Sequence, residues 1–369
     1  MKKIFIIAGE PSGDLHGANL VKALFSQNAD LTIKGWGGEL MQEQGVEVLM
    51  HYKKLAFMGF AEVIANLRTI LKNFEICKSQ IKDFKPDAVV FIDYPGFNLR
   101  MAKFVKKLGI KTFYYISPQI WAWKQNRVYT IKKYVDEVYS IMPFEKDFYK
   151  KFDVDINFVG HPLIDAINNL SHSDELPEIT SDKPILAILP GSRKQEISKM
   201  LPVMLKSAKK FDSHQIVIAG APSIEKEFYL KYLNNFIDYP LIFGKTYSIL
   251  YKAHTAMVTS GTATLETALF NIPQVVCYKG GAISIAIARM LIKVKYISLV
   301  NLIMDKEVVK ELIQDEMNEK MLTSEIQKII SGEGRTQMLN QYKVLIEKLG
   351  GGGASEITAS LMLKTLATS

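Results

Sequence analysis

Cysteine is nearly absent: the 369 residues contain two, Cys77 and Cys277. Two thiols so far apart in sequence exclude a disulfide framework and a thiolate zinc cluster, and they fit a reducing compartment. No apolar run approaches the ~18 residues that a membrane-spanning helix needs. The six histidines show no metal-ligand spacing. Hydrophobic residues at 48% and charged residues at 23% are globular values, which excludes wholesale disorder. Met1-Lys2-Lys3 ahead of Ile4–Ala8 imitates a signal peptide. That run is too short, and Glu10 and Asp14 follow at once, so a first β-strand is expected instead. The length predicts two domains, and the whole reads as a cytoplasmic protein.

The net charge is +8, and it is concentrated. Residues 76–151 hold 15 Lys/Arg against 7 Asp/Glu, which accounts for the entire excess. A first cluster is Arg100, Lys103, Lys106, Lys107 and Lys111, and a second is Lys124, Arg127, Lys132 and Lys133. Such a block suits an anionic partner: a phosphorylated substrate, an acidic lipid surface or nucleic acid. The first cluster is equally explained as a solvated helix face. The second is interleaved with Trp121, Trp123 and Tyr129. Rings beside cations fit a membrane interface or a stacked ligand. Neither an RNA-binding consensus nor a recognition-helix pattern accompanies the charge, so no nucleic-acid partner is expected.

Short β-branched runs alternate with amphipathic stretches. Strands are expected at Lys3–Ala8, Ala88–Ile92, Lys111–Ile116, Glu137–Ser140, Ile156–Val159, Ile185–Leu189, Gln215–Ile218, Ala256–Val258 and Gln274–Val276. Alternation of this kind predicts α/β architecture with parallel sheets and right-handed crossovers. The pattern occurs twice, so domains are expected over 1–167 and 184–340. Between them the polar stretch 168–183, with Pro177 and no periodicity, reads as a linker. After about residue 306 the chain reads as almost entirely helical and polar, with breaks at Gly332–Gly334 and Gly350–Gly353. From Leu55 to Phe74 the apolar residues fall at helical spacing. That segment is either an ordinary helix packed on a sheet or one whose Phe57, Met58 and Phe60 face acyl chains or a bilayer.

Several loops have the composition of ligand sites. The first strand runs into Gly9-Glu10-Pro11-Ser12-Gly13-Asp14, where glycines admit close approach and a helix N-terminus favours anions. It is neither a dinucleotide fingerprint nor a P-loop, which tells against an oxidoreductase. Ser12 or Asp14 is alternatively a helix cap. The second half opens with a strand and Pro190-Gly191-Ser192-Arg193: amides, a hydroxyl and a fixed cation suited to a diphosphate. Further on, Thr259-Ser260-Gly261-Thr262 leads into a helix with Glu266 one turn in, an acid fit for ribose hydroxyls or for capping. Two such loops in one α/β domain predict a nucleotide site. Asp93 closes the Ala88–Ile92 strand, where α/β ligands bind, and is a candidate general base or a helix cap. Asp153-Val154-Asp155 has the D-x-D spacing of metal-dependent glycosyltransferases, but its setting reads as surface charge. His161, after a strand near the domain junction, either lines a cleft or is packed inside.

The motifs AGEPSGDLHGA, MGFAEV, FIDYPGFN, YYISPQIWAWKQNR, FVGHPLID, LPGSRKQEI, TSGTATLETAL and KYISLVNLI, in this order along nearly the whole chain, resemble the lipid-A-disaccharide synthase family. The resemblance implies a GT-B-like glycosyltransferase: two Rossmann-like domains facing across a cleft, with a C-terminal helix (341–369) returning to the first. It implies joining UDP-2,3-diacylglucosamine to 2,3-diacylglucosamine 1-phosphate through a β(1→6) link, with release of UDP, inversion, and neither cofactor nor metal. Asp93 matches the essential aspartate and becomes the general-base candidate. Ser192 and Arg193 would steady the diphosphate, while Gly261, Thr262, Glu266 and Asn301 would hold the rest of the nucleotide. Ser12, Gly13 and Asp14 would lie near the reacting sugars, with Asn98, Trp121, Arg127 and His161 as further acceptor-side candidates. Gly96 stands where some relatives carry a second acid, so that position carries no chemistry here. Lipid substrates imply peripheral contact with the inner leaflet, and the glycine run before the last helix would permit a homodimer that exchanges that helix. The rival within the fold is an enzyme of UDP-N-acetylglucosamine, such as a 2-epimerase.

Overall fold

The computed structural model describes residues 1–55, 67–168, 176–177, 179, 181–233, 236, 238–280 and 295–368. The chain divides into two compact units, residues 1–165 with 349–369, and residues 166–348.

Among the described residues the first unit carries seven parallel strands. They are β1 (Lys2–Ala8), β2 (Leu31–Gly37), β3 (Glu47–His51), β4 (Ala88–Ile92), β5 (Lys111–Tyr115), β6 (Glu137–Ser140) and β7 (Asn157–Phe158), in the order 3-2-1-4-5-6-7. The β4 run AVVFI is buried along its whole length, as a strand must be when helices cover both sheet faces. Burying each such Ile, Val or Phe stabilises the fold by roughly 1.5–3 kcal/mol relative to leaving it exposed. The order reverses between β1 and β4, and it is there that open α/β sheets leave a crevice beyond the strand ends.

The final helix, Ala354–Ala367, packs along the first, Pro11–Gln27. Three contacts catch its start. The Asp165 carboxylate accepts the N–H groups of Gly353 and Ala354, the Tyr115 and Ser355 hydroxyls meet at 3.4 Å, and Gln27 Nε2 donates to the Glu356 carbonyl at 2.9 Å. Of the apolar segment 55–74, Phe57, Met58 and Phe60 lie outside the described residues. Its far end begins the helix Leu67–Phe84, where Phe74 stacks on Phe97 at 4.3 Å inside the core. That end serves packing.

The second unit carries β8 (Ile185–Leu189), β9 (Gln215–Gly220), β10 (Leu241–Phe243), β11 (Ala253–Thr259), β12 (Gln274–Tyr278) and β13 (Lys310–Ile313), all parallel, in the order 10-9-8-11-12-13. Its order reverses between β8 and β11. Beyond residue 306 the described chain is mostly helical, and β13 is a strand that the sequence did not reveal. Its sequence KELI is short, half charged and at the sheet edge, so it lacks the apolar run of a central strand.

Candidate active site

Asp93 follows β4 at the reversal point of the first sheet. It and Tyr94 both adopt left-handed backbone, φ 41° and 47°, which costs a non-glycine residue energy and persists only where the surroundings enforce it. Here they do. The Asp93 N–H donates to Tyr115 O at 3.3 Å, and its carbonyl accepts both the Tyr114 hydroxyl at 2.6 Å and Asn98 Nδ2 at 2.8 Å. Across the gap, a Cβ on Gly9 would come within 2.4 Å of the Tyr94 ring, so only glycine lets the two strand ends approach this closely. Burial, with the neighbouring charge of Glu10, pushes the Asp93 carboxyl up to about 6. Glu10 drew no separate role from the sequence; its proximity to Asp93 depends on the pairing of β1 with β4.

The other acceptor-side candidates separate into exposed and committed groups. Ser12 is exposed at the start of the first helix, with Gly13 buried beside it. Asp14 is engaged in structural contacts. It is buried, and its carboxylate accepts the N–H groups of Gly38 at 2.7 Å, Leu40 at 3.1 Å and Met41 at 3.2 Å, capping the short helix Glu39–Glu43. Asn98 is fully buried, and its amide also donates to Ile92 O at 3.2 Å, which clips the end of β4. It positions Asp93 from beneath. His161 is the packed histidine of the two alternatives: its Nδ1 accepts Leu163 N–H at 3.2 Å, and burial pushes its ring down to about 3. His16 lies close enough to contribute to that shift and is itself pushed down to about 4, so both rings are neutral at pH 7.

Trp121 is also buried, edge-on to Phe144 at 4.9 Å, above a buried carboxyl, Glu145. The exposed ring of this stretch is Trp123, with Lys124 Nζ 4.3 Å and the Arg127 guanidinium 5.6 Å from its centre. The Arg127 charge also reaches Tyr114, whose hydroxyl holds the Asp93 carbonyl.

The second unit contains a cavity of about 400 Å³ at its own reversal point. The β8 loop brings Ser192 and Arg193 to it, and the β11 loop brings Gly261, Thr262 and Glu266. Gly191 has φ +107°, and the turn it makes feeds the helix Lys194–Ala208, whose N-terminal dipole favours anions. Glu266 is largely enclosed, which raises its carboxyl above the usual range, and the Tyr247 hydroxyl donates to its Oε1 at 2.9 Å. Tyr247 was not legible as a partner, since 19 residues separate the two. Asn301 is not among the described residues that line this cavity. It is wholly buried; its amide donates to Val309 O and Glu311 Oε1, and its oxygen accepts Val308 and Val309 N–H at 2.7 and 3.0 Å. With every polar atom in use, it ties β13 to the preceding helix. Among the described residues no group of three His, Cys, Asp or Glu side chains is placed to hold a metal, and Asp153 lies exposed near Lys132 at 3.7 Å.

Two independent likenesses bear on this architecture. The model of the family described as Lipid-A-disaccharide synthetase matches residues 4–364. Lipid-A-disaccharide synthase from Syntrophus aciditrophicus is 41% identical, covering 98% of this chain and 97% of the relative. The enzymes of that name from Coxiella burnetii (38%, 98% of each chain) and Myxococcus xanthus (36%, 99% and 97%) agree. The chain belongs to the lipid-A-disaccharide synthase family. It is therefore a glycosyltransferase of lipid A biosynthesis. Solved structures share its fold at low identity. A UDP-GlcNAc 2-epimerase from Neisseria meningitidis bound to UDP-GlcNAc superposes with TM-score 0.63 at 13% identity, covering all of both chains. The glycotransferase of kitacinnamycin gives 0.70 at 10%, covering 99% of each. These place the fold among two-domain Rossmann-like proteins.

Proposed function

We propose that the protein transfers the diacylglucosaminyl group of UDP-2,3-diacylglucosamine to the 6-hydroxyl of 2,3-diacylglucosamine 1-phosphate. The products are the β(1→6)-linked disaccharide 1-phosphate and UDP. The observation that carries the reading is Asp93: a carboxylate fixed by a strained, thrice-bonded turn at the strand ends of a chain of this family. A carboxyl raised to about 6 is still mostly ionised at pH 7, yet is a stronger base than an ordinary aspartate.

In this reading Asp93 takes the proton from the acceptor O6 as that oxygen forms its bond to the donor's anomeric carbon. The bond from that carbon to the β-phosphate oxygen breaks in the same displacement, and its electron pair leaves on UDP. An α-linked donor thereby gives a β-linked product, with no glycosyl-enzyme. The charge developing on the diphosphate would meet the N–H groups of Ser192 and Arg193, the helix N-terminus behind them and the Arg193 guanidinium. Glu266, steadied by Tyr247, would accept from ribose hydroxyls, beside Gly261 and Thr262. On the acceptor side, Ser12 and Arg127 are the exposed and half-exposed candidates. Acylated substrates further support peripheral contact with the inner leaflet from the cytoplasmic side.

Mass spectrometry of products from the two purified substrates tests the reading. A tetra-acylated disaccharide phosphate with stoichiometric UDP is expected. UDP without disaccharide would indicate hydrolysis or a different acceptor, and conversion of UDP-N-acetylglucosamine alone would favour the epimerase alternative.

A further inference from the structure

The donors suited to a diphosphate are already engaged. Glu196 Oε2 accepts the N–H groups of Ser192 and Arg193 at 3.1 and 3.3 Å, while Oε1 meets Arg193 Nη1 at 3.0 Å. The Glu196 side chain is 22% exposed, whereas the guanidinium side chain it holds is 77% exposed. A Cβ on Gly191 would sit 2.7 Å from Glu196 Oε2, so the left-handed glycine makes the space this carboxylate fills. All four residues line the cavity. A carboxylate here presents two oxygens and a negative charge to two amides and a guanidinium, the same donor set that would receive a phosphate.

We propose that Glu196 is an internal substitute for the donor's diphosphate. It occupies the cradle when the nucleotide is absent, gives up its donors as the nucleotide binds, and returns as UDP leaves. The inference rests on the nucleotide reading of the cavity and adds to it an intramolecular competitor. The consequence is a weakened hold on product. The two amides and Arg193 never lose a partner, so the site exchanges one anion for another instead of leaving its donors empty. Uniform tightness toward UDP would slow turnover without helping the displacement itself, so such a competitor favours release. The ordinary alternative is that Glu196 only completes a capping box at the start of this helix.

Calorimetric titration of full-length wild type and Glu196→Gln with UDP, UMP and uridine separates the two. The glutamine keeps the size and one acceptor oxygen but loses the charge. Glu196→Gln is expected to bind UDP about 5–10-fold more tightly, with uridine unchanged and UMP between them. Equal UDP affinity in both proteins, or weakening of UDP and uridine by the same factor, would overturn the proposal and leave a cap alone. Should Glu196→Gln fail to fold, Glu196→Asp, whose shorter carboxylate draws back from the two amides, is expected to shift UDP in the same direction, and no gain there would count against it equally. Failure of wild type to bind UDP at all would sink the nucleotide reading itself.

Discussion

Asp93 carries two opposing demands. A base must be ionised and desolvated, and both conditions oppose folding when the carboxylate has no cationic partner. Its folded value of about 6 lies above the ordinary 3.8, so protons favour the native state across that interval. Native stability drawn from this group is greatest below 3.8 and is lost as pH rises toward 6. At pH 7 the charge is therefore a net cost. Asp93→Asn, which keeps the shape and removes the charge, should stabilise the protein by about 1–2 kcal/mol at pH 7 while abolishing most activity. Thermal denaturation at pH 7 and pH 4 checks this: a gain at pH 7 that shrinks at pH 4 is expected, and a loss at both would contradict it. The charge of Glu10 sharpens the same effect, because like charges on neighbouring strand ends resist joint ionisation.

Among elements, the loop from Ser117 to Arg127 depends on a buried carboxyl. Glu145 is 1% exposed, faced by Ser117 and Trp121, and burial pushes it up to about 8. Ser117 also bonds the Tyr149 hydroxyl at 2.6 Å, while Glu145 Oε2 and Trp121 Nε1 make no hydrogen bond among the described residues. Protonated at pH 7, Glu145 behaves as a neutral polar packing group beneath the loop that carries Trp123 and Arg127. Its stabilising contribution is present below the ordinary 4.5 and lost as pH climbs to about 8. Glu145→Gln should flatten the fall in stability over that range, as measured by urea midpoints from pH 5 to 8.5. Parallel curves for the two proteins would contradict it.

The central strands were legible because β4 and β8 are unbroken apolar runs, AVVFI and ILAIL. β2 and β13 were not: β2 carries two glycines and a lysine, and β13 is half charged, so pairing rather than composition makes them strands. The same contrast divides the site. Gly-Ser-Arg beside a strand states its chemistry locally, and so does an aspartate at a strand end. Whether Asp14, Asn98, His161 and Asn301 face a ligand or the interior is decided by the burial and the bonds each acquires on folding. Asp14 bonds residues 24 to 27 positions away, and nothing in its neighbours' identity records that.

At the scale of the whole molecule, the charge excess falls within one unit, together with the exposed rings of Trp123 and Tyr129. Trp123 is 43% exposed and Tyr129 62%, with Lys124 over the Trp123 ring at 4.3 Å. Among the described residues no helix is long and apolar enough to cross a membrane. Surface rings and cations together are two weak attachment signals of the kind that hold a protein reversibly at an anionic bilayer. The protein is expected to co-sediment with vesicles containing anionic lipid, to release progressively with salt, and to bind more weakly as Trp123→Ala. Absence of binding at moderate ionic strength would contradict this. The last helix, held by Asp165, Tyr115 and Gln27, packs on the first helix, which completes the first unit from residues at both ends of the sequence.

The most direct test of the central claim is the pH dependence of kcat/KM for disaccharide formation, measured for wild type and Asp93→Asn. The wild-type rate is expected to fall below a midpoint near 6, where the Asp93 carboxyl takes up its proton. The variant is expected to be about 10²–10⁴-fold slower and to lose that limb while still binding UDP. A variant that retains most of the rate, or that keeps the same acidic limb, would remove Asp93 from the role of base.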